Sequence, residues 1–329
     1  MTNSCSAIFT GFGSQLPQRR LTNDDLSKMV ETNDEWIVQR TGIRERRIAC
    51  DGETTATLGT AAARKAIDSA HLAPKDIDLI ICATITPEMV FPSTACFIGA
   101  ALGMAGAAAF DLNAACSGFL YAMVTAASFI KAGQCRNVLV IGAETLSRIT
   151  DYQDRSSCVL FGDGAGAVVM QRGSDAGRGL IYSTLHADGN GAEAMQCIPG
   201  SRHPITAQLL ADRQQYMRIK GREVYKFAVT KFEELIEEAM RSCSLSKEQV
   251  KLIIPHQVNQ RIIDSAMEKL GLPPERAFVN IDRYGNTSAA SIPIAWDEAH
   301  QAGRLQQGDA VIFVAFGGGL TWASAVVKM

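Results

Sequence analysis

The residue with the clearest chemical potential is Cys116, within the segment DLNAACSGFL of residues 111–120. Residues 107–112 have the apolar character of a buried strand, and residues 117–131 predict an apolar, buried helix. A thiol at that junction faces the positive end of the helix dipole and free backbone N–H groups, which favour the thiolate. The small neighbouring residues would let a substrate approach closely. We therefore interpret Cys116 as a nucleophile and the other eight cysteines as packed core residues.

Two further polar residues stand where a site would be expected. His256 follows the apolar strand that ends at Pro255, and ligands of parallel α/β sheets bind beyond the carboxyl ends of the strands. Asn286 lies in a turn that leads into a helix, whose regular part should begin near Pro293 because proline is tolerated in a first turn. Taken singly, each residue is equally compatible with a structural role.

An internal repeat relates the two parts of the chain. Residues 66–81 (AIDSAHLAPKDIDLII) match residues 239–254 (AMRSCSLSKEQVKLII), and each segment predicts the end of a helix, a turn and an apolar strand. The similarity resumes later, where Ala109-Phe110 corresponds to Ala277-Phe278. Each half is predicted to run helix, strand, helix, strand, helix, strand. Such alternation favours mostly parallel sheets covered by helices.

The repeat also groups the candidate residues. It places Asn286 close to the counterpart of Cys116, across a pseudo-twofold axis, with His256 at a strand end nearby. Such a set supplies one nucleophile and two hydrogen-bond donors. The glycines of residues 317–319 follow the last strand of the second repeat, and an N–H there could join that of Cys116 in an oxyanion hole. A tight structural crossing of two strands is the alternative interpretation of these glycines.

Composition limits the class of protein. The chain has 329 residues, long enough for one large duplicated domain or two domains, and its net charge of −2 gives no global reason to bind nucleic acid or an anionic membrane. Nine scattered cysteines without a C-x-x-C pair favour reduced thiols, and neither they nor the dispersed histidines predict a metal site. Neither a secretory signal nor a membrane-spanning run is apparent, so we expect a cytoplasmic protein. The Gly-rich residues 11–16 and 161–167 lack the following helix of a nucleotide-binding motif.

Together these segments resemble the β-ketoacyl-acyl carrier protein synthase III family of the thiolase superfamily. The resemblance covers essentially the whole chain. The segments that carry it, in the family's order and spacing, are TNDEWIVQRTGI (32–43), NAACSGF (113–119), Asp154-Arg155, FGDGAGA (161–167), PHQVNQR (255–261), YGNTSAAS (284–291) and AFGGG (315–319). The resemblance implies a thiolase-like αβαβα sandwich of five layers, built from two pseudo-symmetric halves (residues 1–172 and 173–329), and a homodimer.

The resemblance also implies a reaction. Cys116 would accept an acyl group from acyl-CoA, typically acetyl-CoA, while the N–H groups of Cys116 and Gly318 hold the oxyanion. His256 and Asn286 would donate hydrogen bonds to the thioester oxygen of malonyl-acyl carrier protein as CO2 leaves. The resulting carbanion would attack the acyl-Cys116 and so initiate fatty acid biosynthesis, with no cofactor or metal.

Binding roles follow from the same resemblance. The residues implied at the CoA and substrate site are Thr32, Trp36, Arg40, Arg155, Asn259 and Phe316. Phe91 would close the acyl pocket of the partner subunit. The residues implied to receive the acidic carrier protein are Lys226, Arg261 and Lys269, close to the further cations Arg218, Lys220 and Arg222. Residues 196–203, which border the acyl pocket, are leaner in glycine than their family counterpart, so the starter is left open.

Three alternatives remain at this stage. The same fold could join another acyl or aroyl starter to a malonyl thioester in a specialised pathway. A Cys-His-Asn set could instead belong to a thioester hydrolase, which would form no β-ketoacyl product. A non-catalytic acyl-binding protein would never acylate Cys116.

Overall fold

The computed structural model describes residues 5–175 and 177–329. Within them the strands are β1 (Ser6–Gln15), β2 (Arg20–Thr22), β3 (Glu45–Arg47), β4 (Leu79–Ala83), β5 (Ala108–Leu112), β6 (Asn137–Thr145), β7 (Asp163–Gly173), β8 (Gly179–Ala187), β9 (Met195–Gln196), β10 (Arg218–Ile219), β11 (Val250–Pro255), β12 (Ala310–Gly317) and β13 (Thr321–Lys328). The helices are α1 (Asn23–Leu26), α2 (Asp34–Thr41), α3 (Thr55–Ser69), α4 (Thr94–Ala101), α5 (Gly118–Lys131), α6 (Arg155–Cys158), α7 (Ala207–Ala211), α8 (Gly221–Ser242), α9 (Gln260–Lys269), α10 (Ile281–Tyr284) and α11 (Ser291–Gln301).

Two sheets organise these elements. The first has the strand order β1-β7-β6-β4-β5, in which β4 is parallel to both β5 and β6 while β7 is antiparallel to its neighbours. The second has the order β11-β12-β13-β8, with β11 and β12 parallel. Parallel strands need helices on both faces of their sheet, because each face is apolar. In β4, Leu79 and Ile81 face one apolar cluster while Ile80 and Cys82 face another.

Helices α5 and α11 form a layer between the two sheets. The cluster around them combines residues of β4, β6 and β7 with residues of β11, β12 and β13. Trp296 of α11 is fully buried there, with its ring centroid 4.7 Å from that of Phe9 and 4.5 Å from that of Phe313. Since Phe9 belongs to the first sheet and Phe313 to the second, this side chain connects the two sheets.

The outer layers complete the sandwich. Helices α3 and α4 cover the outer face of the first sheet, and α8 and α9 cover that of the second. The order helix, sheet, helix, sheet, helix is the five-layer arrangement expected from the sequence. In the described part of the chain, no helix has the length and apolar character needed to cross a membrane.

The two sheets are less parallel than the sequence predicts, because β1, β7, β8 and β13 each run antiparallel to their neighbours. The repeated order of helix and strand also fails at one place in the second half. Residues 277–278 were expected to form a strand like β5, but Ala277 makes only an isolated bridge with Ile253. This segment follows the 3-10 turn Pro274–Arg276, and the Phe278 N–H donates to the carbonyl of Ile253 at 2.8 Å. The division at residues 172 and 173 stays a prediction; β7 ends at Gly173 and β8 begins at Gly179.

Replacing Trp296 with alanine tests the connecting role of this side chain. We expect the free energy of unfolding to fall by about 3–5 kcal/mol, because a large cavity opens between the sheets. Urea unfolding followed by circular dichroism measures the change. Met29→Ala, at an exposed site, is the control and should stay within about 0.5 kcal/mol of the unsubstituted protein. A loss below about 1 kcal/mol for Trp296→Ala would contradict the assignment.

Candidate active site

Cys116 lies in a 3-10 turn, Ala115–Ser117, between β5 and α5. The end of β12 passes close to this turn: a Cβ placed on Gly317 would lie 2.6 Å from the backbone nitrogen of Cys116. Thr321 Oγ1 donates a hydrogen bond of 2.9 Å to the carbonyl oxygen of Ala114, which ties the turn to β13. The absence of a side chain at Gly317 is therefore what lets the strand approach the Cys116 turn. Gly318, the predicted oxyanion donor, is the next residue.

The state of the Cys116 thiol differs from the expectation of a thiolate. Burial raises its pKa to about 12; the hydroxyl of Ser288 lowers it by a smaller amount and the charge of Glu144 raises it further. The regular helix α5 begins only at Gly118. Loss of hydration opposes the charged form of the thiol more strongly than the helix dipole favours it. At neutral pH the Cys116 side chain is therefore a neutral thiol.

His256 directly follows β11 and is hydrogen-bonded to β12, the strand that ends at Gly317. Its backbone N–H donates to the carbonyl of Val314 in β12, with a length of 2.8 Å. Its Nδ1 lies 2.7 Å from Ser291 Oγ, whereas its Nε2 is buried and has no hydrogen-bond partner among the residues described. Burial lowers the pKa of the imidazole to about 3. His256 is therefore neutral throughout the physiological range.

Ser291 influences which nitrogen of His256 carries the proton. The backbone N–H of Gln257 donates to Ser291 Oγ at 3.4 Å, so the oxygen already accepts one hydrogen bond. When the Ser291 hydroxyl donates to Nδ1, all three groups are satisfied and the imidazole proton sits on Nε2. In that tautomer His256 presents an N–H that no other described residue accepts.

Asn286 is held by its backbone and by its side chain. Its N–H donates to Leu160 at 2.8 Å, and its carbonyl accepts from Gly162 at 3.0 Å. Its Oδ1 accepts the N–H of Ser288 at 2.8 Å, which directs the Nδ2 group to the opposite side. The side-chain amide of Asn286 is thus oriented with its Nδ2 group directed away from Ser288.

The fold brings the three residues into one region. The turn Ala115–Ser117 packs against the 3-10 turn Ser288–Ala290, which follows Asn286, and also against β12, to which His256 is bonded. A cavity of about 460 Å³ opens beside this junction. The residues that line it include Ile85, Asn113, Ala115, Ile149, Met195, Met217, Gly318 and Gly319.

The residues expected to bind CoA also lie together. The guanidinium of Arg155 stands 4.2 Å from the ring centroid of Trp36 in α2, and that of Arg40 stands 5.6 Å from it. The side chain of Asn259 donates to the carbonyl of Arg40 at 3.0 Å, which joins this group to α9. Thr32 Oγ1, just before α2, is buried without a partner in the described structure. A planar ring could enter between Trp36 and Arg155 only if the arginine moved.

The remaining predicted residues lie apart from the Trp36 group. Phe316 meets the His256 ring edge-on, with the centroids 5.9 Å apart. Lys226 is in α8, and Arg261 and Lys269 are in α9, which packs against α8; Lys269 is paired with Glu233 at 3.0 Å. Phe91 is 81% exposed and lies outside the site of its own chain.

Sequence reasoning missed Ser291, Ser288 and Glu144. A lone acidic residue at the end of the apolar strand NVLVIGAET was a usable signal for Glu144. The two serines gave no such signal, since their importance depends on which groups the fold brings to them. Among the described residues, no cluster of three or more His, Cys, Asp or Glu side chains could hold a metal ion.

The buried Cys116, the neutral His256 and Asn286 lie near the junction of two similar α/β halves. This arrangement is the one expected of cysteine-dependent acyl-transfer enzymes with a thiolase-like fold. The family model of 3-oxoacyl-[acyl-carrier-protein (ACP)] synthase III matches residues 110–189, and the model of its C-terminal part matches residues 240–329. The chain belongs to this family and is a condensing enzyme of the acyltransferase type.

Individual relatives agree with this assignment. The beta-ketoacyl-[acyl-carrier-protein] synthase III of Caldanaerobacter subterraneus subsp. tengcongensis is 48% identical, over 100% of this chain and 99% of the relative. The enzyme of the same name from a Roseiflexus species is 51% identical over 98% of each chain. The crystal structure of 3-oxoacyl-[acyl-carrier-protein] synthase III from Aquifex aeolicus superposes with a TM-score of 0.91 at 48% identity, covering 98% of this chain and all of that one.

Alkylation tests the neutral state of the Cys116 thiol. Because its pKa is about 12, we expect its reaction with iodoacetamide to become roughly tenfold faster per pH unit up to at least pH 10. The interpretation of the other eight cysteines as core residues is wrong for Cys50, Cys96 and Cys197, which are exposed. Peptide mass mapping after timed quenching measures the Cys116 rate, and Cys50 in the same samples serves as the control for reagent activity. A plateau in the Cys116 rate below about pH 9 would show a thiolate and contradict the assignment.

Proposed function

We propose that this enzyme condenses an acyl-CoA, with acetyl-CoA as the first candidate, with malonyl-acyl carrier protein through an acyl-Cys116 intermediate. The product would be a β-ketoacyl-carrier protein, the first elongated intermediate of fatty acid synthesis. The observation that carries this proposal is the packing of the Cys116 turn between the Asn286 segment and β12, beside a neutral His256 with a free Nε2. The chemistry is supplied by side chains and backbone groups, so no cofactor is required.

The first half-reaction is acylation of Cys116. Its Sγ attacks the carbonyl carbon of the acyl-CoA, and the carbon–sulfur bond to CoA breaks as the CoA thiolate leaves. The developing oxyanion needs preorganised donors, and the N–H groups of Cys116 and Gly318 are proposed for that role. The close approach of Gly317 to the Cys116 nitrogen supports it, because it brings the two peptide segments together.

The second half-reaction requires two neutral donors. As the malonyl group loses CO2, negative charge develops on its thioester oxygen, and His256 Nε2–H and Asn286 Nδ2–H would stabilise it. Each such donor contributes about 3 kcal/mol to a transition state of this kind. The carbanion then attacks the acyl carbon, and Cys116 leaves as its thiolate.

The state of His256 favours condensation over hydrolysis. A Cys-His-Asn hydrolase uses its histidine as a base, and a base works best when its pKa lies near the working pH. Burial lowers the pKa of His256 to about 3, which makes it a poor proton acceptor and a good neutral donor. A decarboxylating enzyme needs the latter.

An apolar pocket beside Cys116 supports an aliphatic starter. Leu146, Phe161 and Met217 form a buried cluster, with Ile85 and Met195 packed against it. Met217, Ile85 and Met195 also line the cavity of about 460 Å³. Two methionines give this wall an adaptable shape, so straight or branched starters longer than acetyl are the second candidates.

The two substrates would bind at neighbouring elements, because Asn259 joins the Trp36 group to α9, which carries Arg261. We propose that the adenine of CoA stacks on Trp36 and that Arg40 and Arg155 bind its phosphates. Lys226 and Arg261 would receive the acidic carrier protein.

All nine cysteines are free thiols, which supports a reducing, cytoplasmic location.

The first sheet suggests how two copies associate. Strand β5 is an edge strand with the apolar sequence AAFDL, and none of its residues is fully buried. Apolar edge strands need to be covered. Val90 and Phe91 are 97% and 81% exposed in the loop before α4, which packs on β5. We propose a homodimer that covers β5 and inserts Phe91 into the partner's acyl pocket.

Intact-mass measurement tests the reaction. With acetyl-CoA we expect one acetyl group on the chain, absent in Cys116→Ser, and its discharge into a β-ketoacyl-carrier protein when malonyl-acyl carrier protein is added. A panel of longer and branched acyl-CoAs identifies the preferred starter. Discharge to free acid without β-keto product would support a hydrolase, and lack of acylation by every starter would refute the proposal.

The two donors are tested by His256→Ala and Asn286→Ala. We expect each to form acyl-Cys116 at a rate within about tenfold of the unsubstituted enzyme, while condensation falls about 100- to 1000-fold. Quenched-flow mass spectrometry separates the two half-reactions. If His256→Ala blocked acylation as severely as condensation, His256 would have to act as a base.

Sedimentation tests the dimer. We expect the chain of 35.4 kDa to sediment as a dimer, and Phe91→Asp to raise the dissociation constant at least roughly tenfold, because a charge would have to be buried. Met29→Asp, at another exposed apolar site, should leave the dimer unchanged. A monomeric unsubstituted chain at micromolar concentration would contradict the proposed association.

A further inference from the structure

One fully buried carboxylate near Cys116 has no role in the reaction described above. Glu144, near the end of β6, accepts hydrogen bonds from Thr86 Oγ1 at 2.6 Å, Thr84 Oγ1 at 3.2 Å and the N–H of Ile85 at 3.1 Å. These three donors favour the ionised carboxylate, while burial opposes it. A carboxylate kept inside the protein at this cost, next to a nucleophile, is a candidate proton acceptor.

Ser288 belongs to the turn that packs against both the Cys116 turn and β6, the strand that carries Glu144. Its N–H is held by Asn286 Oδ1 at 2.8 Å, and its φ of 48° is in the left-handed region. Its buried Oγ makes no aligned hydrogen bond in the described residues. The hydroxyl is nevertheless close enough to both groups to lower the pKa of Cys116 and that of Glu144. The turn Ser288–Ala290 packs directly on β6, which keeps the hydroxyl in this place.

The protonation states fit such a path. Burial raises the pKa of Glu144 to about 7, with the three donors and Ser288 offsetting part of the effect. The titratable groups that face Glu144 are the thiols of Cys116 and of Cys82 in the adjacent β4, and both stay neutral because burial raises their pKa values. His256, with its pKa lowered to about 3, cannot accept the proton instead.

We propose that Ser288 and Glu144 form the path by which the Cys116 thiol loses and regains its proton. As Cys116 Sγ bonds to the acyl carbon, its proton moves to Ser288 Oγ, and the hydroxyl proton of Ser288 moves to the Glu144 carboxylate. The bond to CoA breaks, and the departing CoA thiolate takes a proton from water. When the carbanion later releases the Cys116 thiolate, the proton returns by the reverse path. Glu144 exchanges this proton only through Ser288, so we class it as a positioning residue and not as a catalytic residue.

This inference rests on the proposed acylation of Cys116, and the test keeps the two apart. The acylation rate with acetyl-CoA is measured by quenched-flow mass spectrometry from pH 5.5 to 9 for the unsubstituted enzyme, Glu144→Gln and Ser288→Ala. We expect the unsubstituted rate to rise with pH and level off above about pH 7, where Glu144 is ionised. Both variants should lose this inflection and be about 100-fold slower at pH 7.5.

Alkylation of Cys116 by iodoacetamide at pH 9 distinguishes loss of the proposed proton path from damage to the fold. Removing the Glu144 charge should make Cys116 easier to ionise, so Glu144→Gln should be alkylated roughly threefold faster while it is acylated more slowly. Asp163→Asn is the matched control. Asp163 is another buried carboxylate with a raised pKa, but it accepts hydrogen bonds from Ala49 and Ser147. It should leave the inflection in place.

The outcomes separate cleanly. Acylation of both variants within about threefold of the unsubstituted enzyme, with the inflection retained, overturns the path. Equal slowing of acylation and alkylation in Glu144→Gln also overturns it, because that marks a structural role. If Glu144→Gln does not fold, Ser288→Ala, which keeps the carboxylate, decides the question. Failure of the unsubstituted enzyme to acylate at all refutes the proposed function itself.

Discussion

The active site depends on how closely the turns that begin the two central helices, α5 and α11, can approach each other. A Cβ on Gly142 would lie 2.2 Å from the carbonyl oxygen of Ala289, and one on Gly317 would lie 2.6 Å from the nitrogen of Cys116. Neither contact tolerates any side chain. Glycine at these positions therefore lets β6, β12 and the two turns meet, and the meeting point is where the chemical groups are gathered. The layered fold keeps the two turns close together, because both central helices are packed between two sheets.

The same confinement sets the protonation states. Water is largely excluded from Cys116 and His256, so the uncharged form of each is favoured: the thiol pKa is raised and the imidazole pKa is lowered. A neutral imidazole suits the stabilisation of an enolate, but a neutral thiol must lose a proton before it can form a bond. The burial that keeps His256 neutral for the condensation step also keeps Cys116 protonated, so the acylation step needs a group that accepts the thiol proton. Glu144, the carboxylate whose pKa the same burial moves to about 7, is placed to meet that requirement through Ser288.

Several buried polar atoms without partners in the described part of the chain belong to residues of the proposed site. They include His256 Nε2 and Ser288 Oγ, and also Thr32 Oγ1, which precedes α2. Unpaired buried polar atoms are costly in a packed interior, so they are informative where they cluster. Trp296 Nε1 and Ser324 Oγ are also unpartnered but lie in packed regions of the core. An unpartnered atom therefore indicates a binding function only when a cavity or a reactive group lies next to it.

Much of this architecture was predictable from the sequence, because periodic apolar segments and a repeat are local signals. The α5 helix, the apolar strands β4 and β11, and the position of Cys116 between a strand and a helix all followed from residue patterns. The resemblance to a known family then assigned roles to residues that patterns alone left ambiguous. The isolated bridge at Ala277, in place of a strand, did not follow from the repeat. The neutral thiol did not follow either, because burial outweighs the effect of the helix dipole. Which hydroxyl faces Glu144, and which nitrogen of His256 is free, was decided only by the tertiary structure. These properties depend on contacts between residues far apart in the chain, and no spacing in the sequence encodes them.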